Sequence, residues 1–300
     1  MSTLAVIPYF NFYPKPKRLA ILEDSINGLA GECDVWVVRC GYPLGFNLDV
    51  PSTTLDSPAM LKCFQKEALI NHAIYRLIRQ QHPKYLKREY SRVLFIDGDI
   101  QPRDGSSWSE LLERCSSFSP NQFGQPCSHF ETPQGILESS SRRILTNQNQ
   151  PLNYSLVQGT APGGCWVVGW DVLVDYFQYP FCLLGGGDSV FISSFLTDLN
   201  SDAFFANSLV TPLRDAIYGY IQNARSRRIG YFATPEKNLC LKSVDHGQAK
   251  TKKYVERHSL YNFPATIRGV GNKVGELVKV VKSDDGLMVS SFISGYMSNL

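Results

Sequence analysis

Apolar residues in this chain come in two spacings: short unbroken runs, and stretches where they recur every three or four positions. The alternation of the two predicts an α/β protein. Leu4-Ala5-Val6-Ile7-Pro8 reads as a short buried strand, Arg18 to Leu29 as a helix, and Asp34-Val35-Trp36-Val37-Val38-Arg39 as a second strand, which is a β-α-β opening. Pro43 to Pro58 is an irregular linker. From Leu61 to Ile78 the chain is amphipathic: Leu61, Phe64, Ala68, Ile70, Ile74, Leu77 and Ile78 lie on or near one face, and Lys62, Lys66, Glu67 and Arg76 lie off it. Next comes Arg92-Val93-Leu94-Phe95-Ile96-Asp97-Gly98-Asp99-Ile100, whose uninterrupted apolar core predicts a central strand covered on both faces and ending in two carboxylates.

Trp108 to Cys115 is a further helix. From Ser116 to Gln158 the chain turns polar, with Ser, Gln, Asn and Pro dominating, and this predicts a long loop or lid with a short strand at Cys127-Ser128-His129-Phe130. Apolar sequence returns in the strand Gly163 to Gly169 and the helix-like Trp170 to Phe177. Leu183 to Ile192 is a glycine turn that delivers Asp188 at the head of an apolar helix. A helix over Arg214 to Arg225, a strand over Ile229 to Phe232, and Leu239 to Gly247 follow, and then the basic run Lys250 to His258.

Composition narrows the class. Three hundred residues, 43% hydrophobic and 19% charged, describe a soluble globular protein large enough for one α/β core. No run approaches the roughly 18 apolar residues of a membrane span, and Met1-Ser2-Thr3-Leu4 leads into a strand without a signal peptide's regions, so a cytoplasmic protein is expected. Eight cysteines without a Cys-x-x-Cys pair read as reduced core residues. A net charge of +3 permits a polyanionic partner without pointing to one.

The chemistry concentrates at Asp97 and Asp99. Ligands of open α/β sheets collect at the carboxyl ends of strands, and two acids one residue apart, with Gly98 allowing close approach, suit a divalent cation carrying a phosphate. The alternative is a strand followed by an Asp-Gly turn. An EF-hand beginning at Asp97 is excluded, because Pro102 would stand where Gly is required and Trp108 where Glu is required. A P-loop is excluded by the absence of Gly-Lys-Ser/Thr, and Gly269 to Gly275 misses the dinucleotide fingerprint by spacing. Pro8 and Tyr9, where the first strand passes into an aromatic loop, are candidates to hold a nucleoside; the other reading is a lid packed over the sheet. Asp188 is either a helix cap or a functional carboxylate.

Taken in order, a strand ending in Asp-x-Asp, a downstream Gly-Gly-x-Trp strand, a Gly-Gly-Gly-Asp helix start and a late His-Gly before Lys-Tyr-x-x-Arg-His resemble the GT-A glycosyltransferases. The resemblance is nearest the branch holding β-galactosyltransferases and related bacterial and phage enzymes, and it runs from Val6 to about Pro264. It implies a Rossmann-like mixed sheet flanked by helices in one domain over residues 1–265. Residues 1–115 would bind the nucleotide sugar, 116–160 would be a polar lid, 161–265 would serve acceptor and metal, and 266–300 would be an extension. It implies Lys66 and Lys252 on the donor, Asp97 on the nucleoside sugar, and Asp99 with His246 on Mn²⁺ or Mg²⁺. The strand with Gly163, Gly164 and Trp166 would border the donor sugar and the acceptor, and Asp188 would be the general base of an inverting transfer from a UDP-hexose. Gly187 departs from the family, which has a second acid there, and Leu184 departs where it has an aromatic residue. Some relatives glycosylate hydroxymethylated bases in phage DNA. The basic clusters Lys15/Lys17/Arg18, Arg142/Arg143, Arg225/Arg227/Arg228 and Lys250/Lys252/Lys253 tilt the expected acceptor toward duplex DNA, with a saccharide as the alternative. A non-catalytic nucleic-acid-binding protein is the competing reading from another class.

Overall fold

The structure is a computed structural model of the whole chain. It describes residues 2–11, 16–41, 48–55, 66–79, 90–133, 135–147, 154–176, 178, 187–193, 217, 219–222, 231–232, 238–244, 270–271 and 279–280. In chain order these form β1 (Ser2–Asn11), α1 (Pro16–Ala30), β2 (Asp34–Gly41), β3 (Ser52–Leu55), α2 (Lys66–Ile78), β4 (Tyr90–Ile96), β5 (Ile100–Pro102), α3 (Trp108–Ser116), β6 (Gln122–Gly124), β7 (His129–Thr132) and β8 (Gly135–Glu138). There follow α4 (Ser140–Thr146), α5 (Tyr154–Val157), β9 (Cys165–Gly169), α6 (Gly187–Ser193), β10 (Tyr231–Phe232), β11 (Cys240–Ser243), β12 (Val270–Gly271) and β13 (Lys279–Val280).

Seven strands make a mixed sheet in the order β10-β6-β9-β4-β1-β2-β3. β1 pairs in parallel with both β2 and β4, while β9 runs antiparallel between β4 and β6. The four longest apolar runs, β1, β2, β4 and β9, thus lie side by side at the centre, as continuous hydrophobicity requires. Side chains alternate across the pleat. Ala5, Ile7, Val35, Val37, Leu94, Ile96, Cys165 and Val167 meet Leu22, Ile26 and Leu29 of α1 and Leu111 and Cys115 of α3. The other face carries Phe95 stacked on Tyr176 at 5.4 Å, with Phe191 of α6 edge-on to Tyr176 and to Trp166. Asn71 fixes α2 to this layer by exchanging two hydrogen bonds of 2.7 and 2.8 Å with the backbone of Gln178. The α/β architecture expected from the sequence, a mixed sheet flanked by helices, is present.

The strand expected to end in Asp97 and Asp99 does so: β4 stops at Ile96, and the chain passes through the acids to Ile100, which opens β5 in a second sheet of order β5-β11-β7-β8. One detail differs from the sequence reading. The polar stretch after Ser116 supplies β6 to the main sheet and β7, β8 and α4 beside it, rather than a plain loop. Phe118, Cys127 and Phe130 of this stretch join the hydrophobic core, and its buried polar groups are held by hydrogen bonds, as polar groups must be when removed from water. Gln125, Ser128, Ser139, Ser140, Ser141 and Thr160 are all buried. Gln125 donates to Ala161 O and Gly163 O, accepts from Ser141 N, and offers its own N–H to Ser141 Oγ.

The six described cysteines are free thiols, and Cys127 and Cys165 share a 3.9 Å thiol–thiol hydrogen bond in the core rather than a disulfide. Among the described residues, no helix is long and apolar enough to cross a membrane. The linker expected from Pro43 to Pro58 is not wholly irregular: half of it lies outside the described residues, and the rest contains β3, which pairs with β2. Of the helix expected at Arg214 to Arg225, residues 217 and 219–222 are described and are helical, with Ile217 and Ile221 buried. Nearly all of 266–300 lies outside the described residues.

Candidate active site

The strand β4 ends with Ile96 buried, and the chain turns at Asp97-Gly98-Asp99 between the two sheets. Asp97 N donates to Gly164 O at 2.8 Å, tying this turn to the start of β9. Asp99 O accepts from Val244 N at 2.9 Å, and Ser243 Oγ donates to Asp99 Oδ2 at 3.2 Å, so β11 secures the second acid. Gly98 packs inward: a Cβ there would stand 3.0 Å from Leu22 and 3.5 Å from Ile7 and Tyr9, and Ser25 Oγ donates to its carbonyl. Its small size is used on β1 and α1. Pro8 is buried within β1 and Tyr9, the next residue, is half-buried beside Gly98.

Lys66, the first residue of α2, joins the pieces. Its Nζ donates to Asp188 Oδ2 at 2.6 Å and to Asp97 Oδ2 at 3.3 Å. Burial works against this ammonium, but Asp188, Asp97 and Glu67 together outweigh it and raise its pKa well above the ordinary lysine value. Burial likewise raises Asp97; Lys66 offsets this in part, and the charges of Asp188 and Asp99 add to it. Glu67 is raised for the same reasons, burial first, and the sequence reading missed it. It sits off the apolar face of α2 yet is only 3% exposed, while Ile78 on that face is 40% exposed. The first turn of α2 is covered by α6, and the periodicity of one helix says nothing of what covers its end.

Two glycines make the approach possible. A Cβ on Gly163 would land on the Asp188 carboxylate, and one on Gly187 would land on Glu67 Oε1. Gly164 has φ +88° and would drive a Cβ into the Phe130 ring at 2.5 Å. Gly164→Ala is therefore expected to cost about 2–3 kcal/mol from a left-handed backbone plus a ring clash, read as a lower midpoint in chemical denaturation. Trp166 is 3% exposed and packs against Phe191, with Nε1 donating to Pro162 O at 3.1 Å. It supports α6 from beneath and offers almost no surface to a ligand.

Asp188, Lys66, Asp97, Asp99, Gly163 and Gly164 thus gather at one end of the central strands, with Glu67 and Ser243 added by the fold. His246 and Lys252 lie outside the described residues. Among the described residues, no three His, Cys, Asp or Glu side chains form a metal-holding group. The donor chemistry nevertheless fits a hard divalent cation: Asp99 is a carboxylate beside Asp97, and the acids around Lys66 outnumber the one ammonium.

No protein-family model matches the chain, and no curated protein matches it. Among solved structures, S. aureus TarS 1-349 in complex with UDP-GlcNAc aligns with a TM-score of 0.40 and 15% identity, over 64% of this chain and 52% of that one. The galactosyltransferase LgtC in complex with donor and acceptor sugar analogs aligns at 0.33 and 14%, over 86% and 95%. A glycosyltransferase involved in glycosylation of the major capsid of PBCV-1 aligns at 0.30 and 13%, over 97% and 99%. The chain thus spans about half the length of the TarS chain it matches. Likeness at this level carries no argument about the activity of this chain.

Proposed function

We propose that this chain moves a hexose from a nucleoside diphosphate sugar, a UDP-sugar foremost, to an acceptor hydroxyl, with inversion at the anomeric carbon and with Mn²⁺ or Mg²⁺. The observation that supports this most is the meeting of Lys66 with Asp97 and Asp188, partners 31 and 122 positions away, where central parallel strands end. A structural ion pair alone would not require a third acid, Glu67, and two glycines cleared for carboxylates.

In this reading Tyr9 and Asp97 hold the nucleoside, and Asp99, oriented by Ser243, holds the cation with His246, which β11 precedes in the chain. A carboxylate and an imidazole suit Mn²⁺, and when bound it offsets charge on the departing diphosphate. The diphosphate competes for Lys66 and draws the ammonium away from Asp188. Asp188 then takes the proton of the acceptor hydroxyl as that oxygen bonds to the anomeric carbon and the carbon–phosphate oxygen bond breaks.

A hydroxymethylated base in duplex DNA is the acceptor that the basic clusters suggest. A saccharide is the second reading, and one observation favours it: Arg142 and Arg143 both pair with Glu138, and Arg142 also bonds Asn238, so this cluster is already engaged. A salt-sensitive gel shift with hydroxymethylated duplex would decide for DNA.

The experiment is a panel of sugar nucleotides with Mn²⁺ or Mg²⁺, scored for slow donor hydrolysis. Activity with one of them is expected, and inertness toward all would overturn the reading. Asp99→Ala should weaken metal and donor binding together, and an unchanged metal dependence would remove Asp99 from the metal site.

A further inference from the structure

We propose that Glu67 is a positioning residue for Asp188: its carboxylate, lodged against Gly187, shares the ammonium of Lys66 and leaves the base able to accept a proton. The inference rests on the transferase reading above.

Glu67 follows Lys66 on the first turn of α2 and is only 3% exposed. Its carboxylate touches the backbone at Gly187, so closely that any side chain there would occupy its place. The next residue along α6 is Asp188, held by Lys66 at 2.6 Å. Glu67 is thus the chain neighbour of one partner of this ion pair, and its carboxylate lies against Gly187, the chain neighbour of the other. Packing does not demand an acid here, because burying a carboxylate costs several kcal/mol and an apolar side chain would fill the space more cheaply.

What an acid adds is charge beside Lys66. An ammonium attracted by one more carboxylate is held less tightly by each of the others. With Glu67 neutral, Lys66 settles on Asp188, and the base is less available when an acceptor arrives. The departure at position 187 acquires a reason: Gly is the residue that admits this carboxylate, which reaches the site from α2 instead of from α6.

The test is kcat and donor KM at saturating metal for wild type, Glu67→Gln, Glu67→Ala, Gly187→Asp and the double variants Glu67→Ala/Gly187→Asp and Glu67→Ala/Gly187→Asn. Glu67→Gln keeps the shape of the side chain, so its melting temperature and donor KM should stay near wild type. Its kcat should fall by up to about 100-fold, the lower end of what a positioned base contributes, because Lys66 then stays on Asp188. Glu67→Ala/Gly187→Asp returns a carboxylate to the vacated space from the opposite backbone and should recover most of the turnover lost in Glu67→Ala; the Asn counterpart should not. Wild-type kcat in Glu67→Gln, or rescue by Asn equal to rescue by Asp, would reduce Glu67 to packing and overturn the proposal while the transferase reading stands. A wild type inert toward every sugar nucleotide overturns both.

Discussion

Asp188→Asn is expected to lower turnover by about 10²- to 10⁴-fold, the range that a positioned base contributes to proton transfer, with donor affinity nearly unchanged. The side chain is partly open, 22% exposed, in the first turn of α6, so an acceptor hydroxyl can reach it. Asn has the same shape and serves helix N-termini about as well as Asp. If Asp188 served only to start α6, the variant would therefore melt and turn over like wild type. The functional reading predicts the split: a melting temperature lowered only as far as the weakened Lys66 pair requires, UDP-sugar binding retained in calorimetry, and transfer lost. A kcat within tenfold of wild type would remove Asp188 from the chemistry.

Lys66→Met is expected to injure both stability and donor binding. It leaves Glu67, Asp97 and Asp188 facing one another without the ammonium that now joins two of them. Removing one partner of a fully buried pair costs several kcal/mol. Lys66 is 16% exposed and its partners 28% and 22%, so water screens part of the loss and about 1–3 kcal/mol remains. The sign of its pH dependence follows from Glu67, whose pKa burial raises to about 7. A carboxyl group whose folded pKa lies above its unfolded value favours the folded state while protonated, and that contribution is lost as pH rises through the folded value. Without Lys66, which now lowers that value, the stability deficit should be smallest near pH 5 and grow toward pH 8. Denaturant midpoints across this range check it, and a deficit independent of pH would show that Lys66 acts by packing alone. The diphosphate also loses its cation, so UDP affinity should drop alongside.

Much of the fold was legible from the sequence, and the failures share a cause. β1, β2, β4 and β9 are apolar because both faces of the sheet are covered, and that condition leaves a run of hydrophobic letters whatever the neighbours are. The stretch around Gln125 and Ser141 left no such trace. Its buried groups are satisfied by one another, and hydrogen bonding between residues 16 positions apart has no hydropathy period. Glu67 was hidden for a related reason, since a charged residue off the apolar face of a helix reads as solvated until another element is placed over it.

The sequence by itself determined the α/β class, the central strands and the acids at their ends, because local spacing records which side of each element is removed from water. Only the tertiary structure decided that Asp97 and Asp188 share one lysine, that Ser243 steadies Asp99, and that Gly187 yields its space to Glu67. Those relations join residues tens to more than a hundred positions apart, and they are set by how elements pack, which no single stretch of chain encodes.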